Sequence, residues 1–252
     1  MSFLASLATD HDIVEEKDSL GSGNSVFESN TYPMTVSLAY FGKADSGAMS
    51  FNLLLKAEDG RELKQTLWIT SGTAKGGKNY YEKDGAKHYL PGFIHADALC
   101  LLTLGKPITT MEPEEKVISL WSSAAKAEVP TKVQMLTDLL GQEITVGVIK
   151  QTADKTRKNE VTGAYEPTGE TREENEIDKL FRTRDGKTTA EIRAQAEEAT
   201  FIKSWGDKWA GKTKNKAKGG TATHGTAGAP KSPFGAPAAA AATRKPASSL
   251  FG

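Results

Sequence analysis

The sequence predicts a mainly β fold with helices. Three apolar, alternating segments separated by glycine-containing turns come first, and a segment with helical apolar spacing follows them. Two further strand-like segments and a second helical segment complete the pattern. Five strands with a helix between the third and the fourth is the order of an OB-fold, a partly open Greek-key barrel. We therefore expect a five-stranded OB-fold-like barrel, a C-terminal helix and a disordered tail.

The first three strands are predicted from alternation. In residues 32–40, apolar side chains at every second position indicate one buried face: Met34, Val36, Leu38 and Tyr40. Residues 50–57 and 62–70 form the second and third strands, and the turns between the three contain GKADSG and EDG. Short turns of this kind predict an antiparallel meander.

The middle of the chain contains the predicted helix, residues 93–104, which ends at Gly105. An acidic connector with a short apolar element around residues 117–121 follows, and then a helical turn at residues 134–140. Residues 143–152 are the fourth strand, with Gly147 as a bend or bulge. A polar loop, residues 153–175, separates it from the fifth strand, residues 176–182.

The last predicted helix begins after Thr189 as N-cap and carries an apolar stripe that includes Trp205 and Trp209. We expect these two tryptophans to pack on the barrel. The domain division is an N-terminal arm (1–30), an OB-fold-like nucleic-acid-binding domain (31–184), the C-terminal helix (185–210) and a disordered basic tail rich in Gly, Ala and Pro (211–252).

Charge is distributed unevenly along the chain. The whole sequence has net charge zero, but residues 211–252 contain seven basic residues and no acidic ones, so residues 1–210 carry −7. A body that is acidic on balance can bind nucleic acid only if its cations are concentrated in one groove.

Composition also argues against several classes of site. Cys100 is the only cysteine, so one chain can form neither a disulfide framework nor a cysteine-rich zinc site. The four histidines are dispersed without ligand spacing, and we expect no metal and no cofactor. No apolar run approaches about 20 residues, and the N-terminus lacks a basic signal-peptide region. A reduced, cytoplasmic protein is expected.

The candidate interface follows the third strand. Glycines interrupt the apolar pattern there, and lysines alternate with aromatic residues. Ammonium groups can follow a phosphodiester backbone, while flat rings can stack on unpaired bases. This pattern predicts a single-stranded nucleic-acid surface formed by Trp68, Lys75, Lys78, Tyr80, Tyr81, Lys83, Lys87 and Tyr89, with His88 as an occasional partner. Two alternatives stay open: Trp68 could face the core, and the tyrosines could pack on the barrel.

A second basic cluster lies in the loop predicted after the fourth strand, at Lys155, Arg157 and Lys158. In an OB-fold this loop borders the binding groove, so we expect these residues to contact phosphate. Solvation of an ordinary loop would explain them equally well.

The segment GTAKGGKN, residues 72–79, nearly matches the phosphate-binding loop G-x-x-x-x-G-K-[ST]. Asn79 replaces the hydroxyl residue that would bind magnesium, and no helix is predicted directly after it. Because the phosphate cradle depends on a helix N-terminus, we do not expect a nucleotide hydrolase or any other enzyme.

Three stretches carry a resemblance to a known family: WITSGTAKGGKNYYEKDGAKHYLPGFIHADALCLLTLGK, LLGQEITVGVIKQ and NEIDKLFR. Over about residues 1–210 the chain resembles the single-stranded DNA-binding proteins encoded by tailed bacteriophages. The resemblance implies an OB-fold core that coats DNA strands, with little sequence specificity, during phage DNA replication and recombination in the host cytoplasm. It also implies no enzymatic activity.

The C-terminus departs from that family. Many such proteins end in an acidic tail with a final aromatic residue that docks partners and competes with DNA. Here the tail ends ATRKPASSLFG, which keeps Phe251 but has no acidic residue. Leu250 and Phe251 are therefore predicted to bind replication or recombination proteins, while the basic tail adds salt-sensitive affinity for DNA. The alternative function is a scaffold that recruits replication, recombination or transcription enzymes through its barrel and tail.

Overall fold

The computed structural model describes residues 26–122, 124–159, 163 and 165–218, and these form a mainly β fold. The predicted mainly β class with helices is confirmed. The described helices are α1 (Pro91–Leu104), α2 (Thr189–Arg193) and α3 (Phe201–Trp209). The described strands are β1 (Asn30–Lys43), β2 (Met49–Ala57), β3 (Glu62–Trp68), β4 (Tyr80–Lys83), β5 (Ala86–Tyr89), β6 (Glu114–Ser122), β7 (Ala127–Met135), β8 (Glu143–Lys158), β9 (Tyr165–Phe181) and β10 (Thr213–Asn215).

Strands β1, β2 and β3 form the predicted antiparallel meander. Alternate residues of β2 and β3 are buried on the inner face. There Phe51 lies opposite Leu67, and Leu55 lies opposite Leu63. β1 has a bulge between Val36 and Leu38, where one extra residue shifts the register. After a bulge of this kind, every later side chain points to the face opposite to the one that simple alternation predicts.

Strand β8 pairs antiparallel with the first half of β1, and β9 pairs antiparallel with β8. The strand path is therefore β3-β2-β1-β8-β9, in which β3 and β9 run parallel to each other. No hydrogen-bonded ladder joins β3 to β9 among the described strands, so the sheet is not closed. The β8–β9 register shifts beside Gly147, but the extra residue is Asp178 of β9, and Gly147 pairs regularly with β1, so the bulge lies in the partner strand and not at the predicted position.

Helix α1 begins at Pro91 and ends before Gly105, whose φ of 71° is left-handed. It confirms the predicted helix and packs on the sheet interior. One buried cluster joins the helix to the strands, and its largest fully buried members include Phe27, Phe51, Leu55, Leu99 and Ile144. The position of Phe27 shows that the predicted arm, 1–30, extends too far, since this residue lies in the core.

Two hairpins were not predicted. β6 and β7 occupy the predicted connector and its helical turn; only Thr137–Leu139 is helical there, as a 3-10 turn. Val117 and Trp121 of β6 are exposed, so burial imposes no regular alternation on this strand. β4 and β5 form the second hairpin inside the loop predicted after the third strand. Nearly all of their side chains are exposed, and exposed polar strands have no alternation to detect.

The β8–β9 hairpin is much longer than predicted. Strand β8 continues to Lys158 and β9 begins at Tyr165, so most of the predicted loop 153–175 is paired strand. Lys155, Arg157 and Lys158 therefore lie in a strand, and their placement in a loop was wrong. The outer part of this hairpin is exposed on both faces, which is why its sequence lacks a strand pattern.

The predicted C-terminal helix is two helices. Thr188, not Thr189, is the N-cap of α2, and it forms a capping box with Glu191. The Glu191 carboxylate also accepts hydrogen bonds from the backbone N–H of Thr200 and Phe201, at 2.9 and 2.8 Å. One side chain thus satisfies the first turns of both helices, and the chain turns between them at Gln195, whose φ is 52°.

The end of the described chain is folded against the sheet. Trp205 is buried against Ile149 and Phe181, as predicted, and its indole N–H donates to Asp178 Oδ2 at 2.7 Å. β10 pairs parallel with β8, so residues 213–215 belong to the sheet and not to the predicted disordered tail. Within the described residues, no helix is long and apolar enough to span a membrane.

Candidate nucleic-acid interface

The outward face of the β1–β2–β3 meander carries polar and aromatic side chains. Trp68 is 49% exposed, whereas its neighbours Leu67 and Ile69 are 6% and 7% exposed. Trp68 therefore faces outward, which settles the open question of its direction. It lies opposite Ser50 of β2.

Tyr40 lies on the same outward face as Trp68. The bulge in β1 turns it away from the core, and Asn52, which is paired with both Tyr40 and Thr66, separates it from β3. Thr66 Oγ1 donates to Asn52 Oδ1 at 2.9 Å, and Asn52 Nδ2 donates to Ser50 Oγ at 3.2 Å. The polar groups between the two aromatic rings are thus held in place by one another.

A cleft of about 660 Å³ borders this face. Tyr40 lines the cleft together with Leu120 and Val133 of the β6–β7 hairpin and with Gly77 of the segment after β3. Burial raises the pKa of the Tyr40 phenol above its usual range, so the hydroxyl remains a donor at neutral pH. The cleft combines apolar walls with a polar aromatic residue, a lining suited to a flat base.

The segment after β3 is an ordered hairpin. β4 and β5 are joined by Asp84 and Gly85, both of which have positive φ, as a two-residue hairpin turn requires. The register places Tyr80 opposite Tyr89, and Tyr81 opposite His88. The four predicted stacking residues therefore form two pairs on opposite faces of one small sheet.

The aromatic rings of this hairpin differ in how much of their surface is exposed for stacking. Tyr80 is half-buried, and the ammonium nitrogens of Lys78 and Lys87 lie 5.3 and 4.9 Å from its ring centroid. Tyr81 is 45% exposed and stacks on His88, with centroids 5.5 Å apart. Tyr89 is 57% exposed. Tyr81 and Tyr89 therefore offer more ring surface than Tyr80.

The lysines of the same segment are exposed: Lys75, Lys78, Lys83 and Lys87. Lys78 is held by its backbone, because its N–H donates to Ser71 Oγ at 3.0 Å and its carbonyl accepts from Ser71 N–H at 2.8 Å. Its ammonium group lies 4.0 Å from Glu82, a loose and exposed ion pair. The chain after Lys78 enters β4 instead of a helix, so the geometry of a phosphate-binding loop is missing.

The second basic cluster is not brought next to the first. β8 runs antiparallel to β1 and extends beyond Asn30, whereas the lysine-rich hairpin follows the last residue of β3. The two clusters thus lie at opposite ends of the outward face. Lys155 is also paired, with Nζ 2.9 Å from Glu170 Oε2.

Sequence reasoning missed three side chains on or beside this face. Tyr40 was placed in the core pattern of β1, because a bulge cannot be seen in simple alternation. Lys64 is exposed on the outward face of β3, and Lys43 lines the cleft. Neither lysine forms an ion pair within the described part of the chain. Both lysines lie in strands, and a lysine in a strand next to the candidate face was the sequence signal that could have identified them.

The remaining predicted site residues, Leu250 and Phe251, lie outside the described residues. Comparisons with known proteins add no assignment: no family model matches the chain, and no curated protein is significantly similar to it. The described residues also contain no group of three or more His, Cys, Asp or Glu side chains that could hold a metal ion.

Proposed function

We propose that this protein binds single-stranded DNA with little sequence specificity and coats it during DNA replication and recombination. The observation that carries the proposal is the outward face that presents Trp68 and Tyr40 beside an exposed lysine- and tyrosine-bearing hairpin. Such a surface can bind phosphates electrostatically and stack bases without reading their edges.

The strand path supports an OB-fold-like barrel. β1, β2, β3, β8 and β9 correspond in order to the five strands of that fold, and α1 lies between the third and the fourth. The β6–β7 hairpin is then an insertion after the helix. OB-folds bind oligonucleotides on the face of strands two and three, between the loops after strands one and four. Trp68 lies on that face.

The geometry favours separate bases over a base pair. Residues two apart on one strand are about 6.8 Å apart, and neighbouring strands about 4.8 Å, so Tyr40 and Trp68 are separated by roughly 12 Å. Each ring can then receive its own base. In a duplex the base faces are covered by neighbouring pairs, and these rings would have nothing to stack on.

The proposed path runs across the outward face from one basic cluster to the other. Lys75, Lys78, Lys83 and Lys87 would bind phosphate at one end, and Arg157 and Lys158 at the other. Lys43 lines the cleft with Tyr40, and Lys64 lies on the outward face of β3 on the other side of Thr66 from Trp68. A path confined to one face reconciles DNA binding with the net charge of −7 on residues 1–210.

The test is a titration of the full chain with oligo-dT, followed by tryptophan fluorescence at several salt concentrations. We expect quenching and a log-log salt dependence with a slope of about −0.7 for each phosphate contacted. Duplex DNA and oligo-rU of equal length are the comparators. Equal affinity for duplex DNA, or no binding at low salt, would rule out the proposal; stronger binding to RNA would redirect it.

A further inference from the structure

A second cleft, of about 540 Å³, lies where β3 and β9 remain unpaired. Residues 62–65 of β3 form one wall, and Glu174, Asn175 and Glu176 of β9 form the other. This is the beginning of β3, at the opposite end of the strand from Trp68. The cleft shares Lys64 with the proposed DNA-binding face and is otherwise separate from it.

Two amide oxygens in this cleft have no hydrogen-bond partner. Gln65 Oε1 and Gln151 Oε1 are both buried, and Gln151 as a whole is only 4% exposed. The orientation of Gln151 is set by its Nε2, which donates to Glu174 Oε1 at 2.9 Å. A buried carbonyl oxygen without a donor has lost its hydrogen bonds to water without replacement, which destabilises the folded state. Two such oxygens at one cleft are available to accept hydrogen bonds from a bound donor.

The charges around the cleft favour a cationic donor. Three carboxylates line it, those of Glu62, Glu174 and Glu176, against the two ammonium groups of Lys64 and Lys216, so acidic side chains predominate. Lys216 Nζ lies 2.8 Å from Glu176 Oε2, and Glu174 Oε2 pairs with Arg172 at 3.0 Å. Apolar side chains of Val26, Phe27 and Leu63 complete the lining and can cover the methylene stem of such a group.

We propose that this cleft binds an organic cation with an alkyl stem and an ammonium or guanidinium head. The head donates to Gln65 Oε1, to Gln151 Oε1 and to the Glu174 carboxylate, while the stem lies on Leu63 and Val26. A single N–H donor cannot satisfy all three acceptors, whereas an ammonium group has three donors and a guanidinium five. The cation can be a free polyamine or a basic side chain of the chain's own C-terminal segment.

The probes are spermidine and arginine amide, added to the full-length protein without DNA and at matched ionic strength. Thermal denaturation is compared for the wild type, Gln151→Leu and the control Gln142→Leu, which makes the same change at the residue that precedes β8 and does not line the cleft. At ten times its dissociation constant, a probe should raise the Tm of the wild type and of Gln142→Leu by about 3–5 °C. Gln151→Leu, which lacks the orphaned oxygen, should show no such rise.

A third variant distinguishes a free polyamine from a basic side chain of the protein's own C-terminal segment. Replacing Lys231, Arg244 and Lys245 together with serine removes the basic groups beyond residue 218. A larger probe response in this chain assigns the cleft to the protein's own tail, and an unchanged response assigns it to a free cation. If Gln151→Leu and the wild type respond equally in both backgrounds, the cleft holds only water and the proposal is wrong. Because no DNA is present, this result is independent of the DNA-binding test.

Discussion

Gly92 and Trp68 are in direct backbone contact: a Cβ added to Gly92 would lie 2.3 Å from the carbonyl oxygen of Trp68 and 2.7 Å from its nitrogen. Gly92 is in the first turn of α1, and Trp68 ends β3. The close approach anchors the start of the helix against the end of the strand, directly behind the exposed indole. Helix position and indole position are therefore coupled.

Gly92→Ala should disturb both the start of helix α1 and the position of the Trp68 indole. The added methyl group meets backbone atoms that cannot rotate away, so we expect a loss of about 1–3 kcal/mol in the free energy of unfolding and weaker binding to oligo-dT. Chemical denaturation and the DNA titration measure the two effects. Gly206→Ala in α3 is the control: its Cβ would meet nothing within 4 Å, and it should leave DNA binding unchanged. A fully stable Gly92→Ala would contradict the coupling.

Removal of the outward rings should weaken DNA binding without unfolding the protein. Base stacking contributes about 1–3 kcal/mol per ring, so Trp68→Ala and Tyr40→Ala should each reduce oligo-dT affinity about 5- to 150-fold. Anisotropy of labelled oligo-dT provides the readout, since it does not depend on the tryptophan removed. Trp121→Ala, which deletes an even more exposed indole outside the proposed path, should have little effect. Equal losses for Trp68 and Trp121 would argue against a defined face.

The ion pair with Glu170 should prevent Lys155 from contacting a DNA phosphate. Lys155 holds the pKa of the Glu170 carboxyl below its usual range, so the pair is ionised at neutral pH. Lys155→Ala should therefore change affinity less than Arg157→Ala. Glu170→Gln, which frees the ammonium group, should tighten binding and steepen the salt slope by up to about 0.7. Equal effects of Lys155→Ala and Arg157→Ala would show that the pair opens on DNA.

Protonation of His95 should lower the free energy of unfolding below pH 7. Its ring lies 3.1 Å from the carbonyl oxygen of Asp178, and burial lowers its pKa below the usual value. The unfolded chain then binds a proton more readily than the folded one. The stabilisation is therefore complete above the unfolded pKa of about 6.5 and is lost as the pH falls below it, by at most about 1.4 kcal/mol per unit. Denaturation of the wild type between pH 5 and 7.5 should show this slope, and His95→Gln should flatten it; parallel curves would exclude His95 as the cause.

The sequence by itself determined the elements that have one apolar face: the β1–β2–β3 meander, helix α1 and the packing of Trp205. Burial imposes a period on such elements, and the period can be read directly. The lysine- and tyrosine-rich segment was also evident, because its composition is unusual whatever its conformation. The β4–β5, β6–β7 and outer β8–β9 hairpins were missed because their exposed faces impose no such period.

Only the tertiary structure decided which side chains share the outward face. The direction of Tyr40 depends on one extra residue in β1, and a bulge is set by pairing with β2, not by the local sequence. The separation of the Lys155–Lys158 cluster from the lysines after β3 depends on strand direction, which only the long-range ladders define. The orphaned oxygens of Gln65 and Gln151 come from strands far apart in sequence that meet beside the unclosed edge of the sheet. Local composition reports what residues can do, but non-local pairing determines which of them can act together.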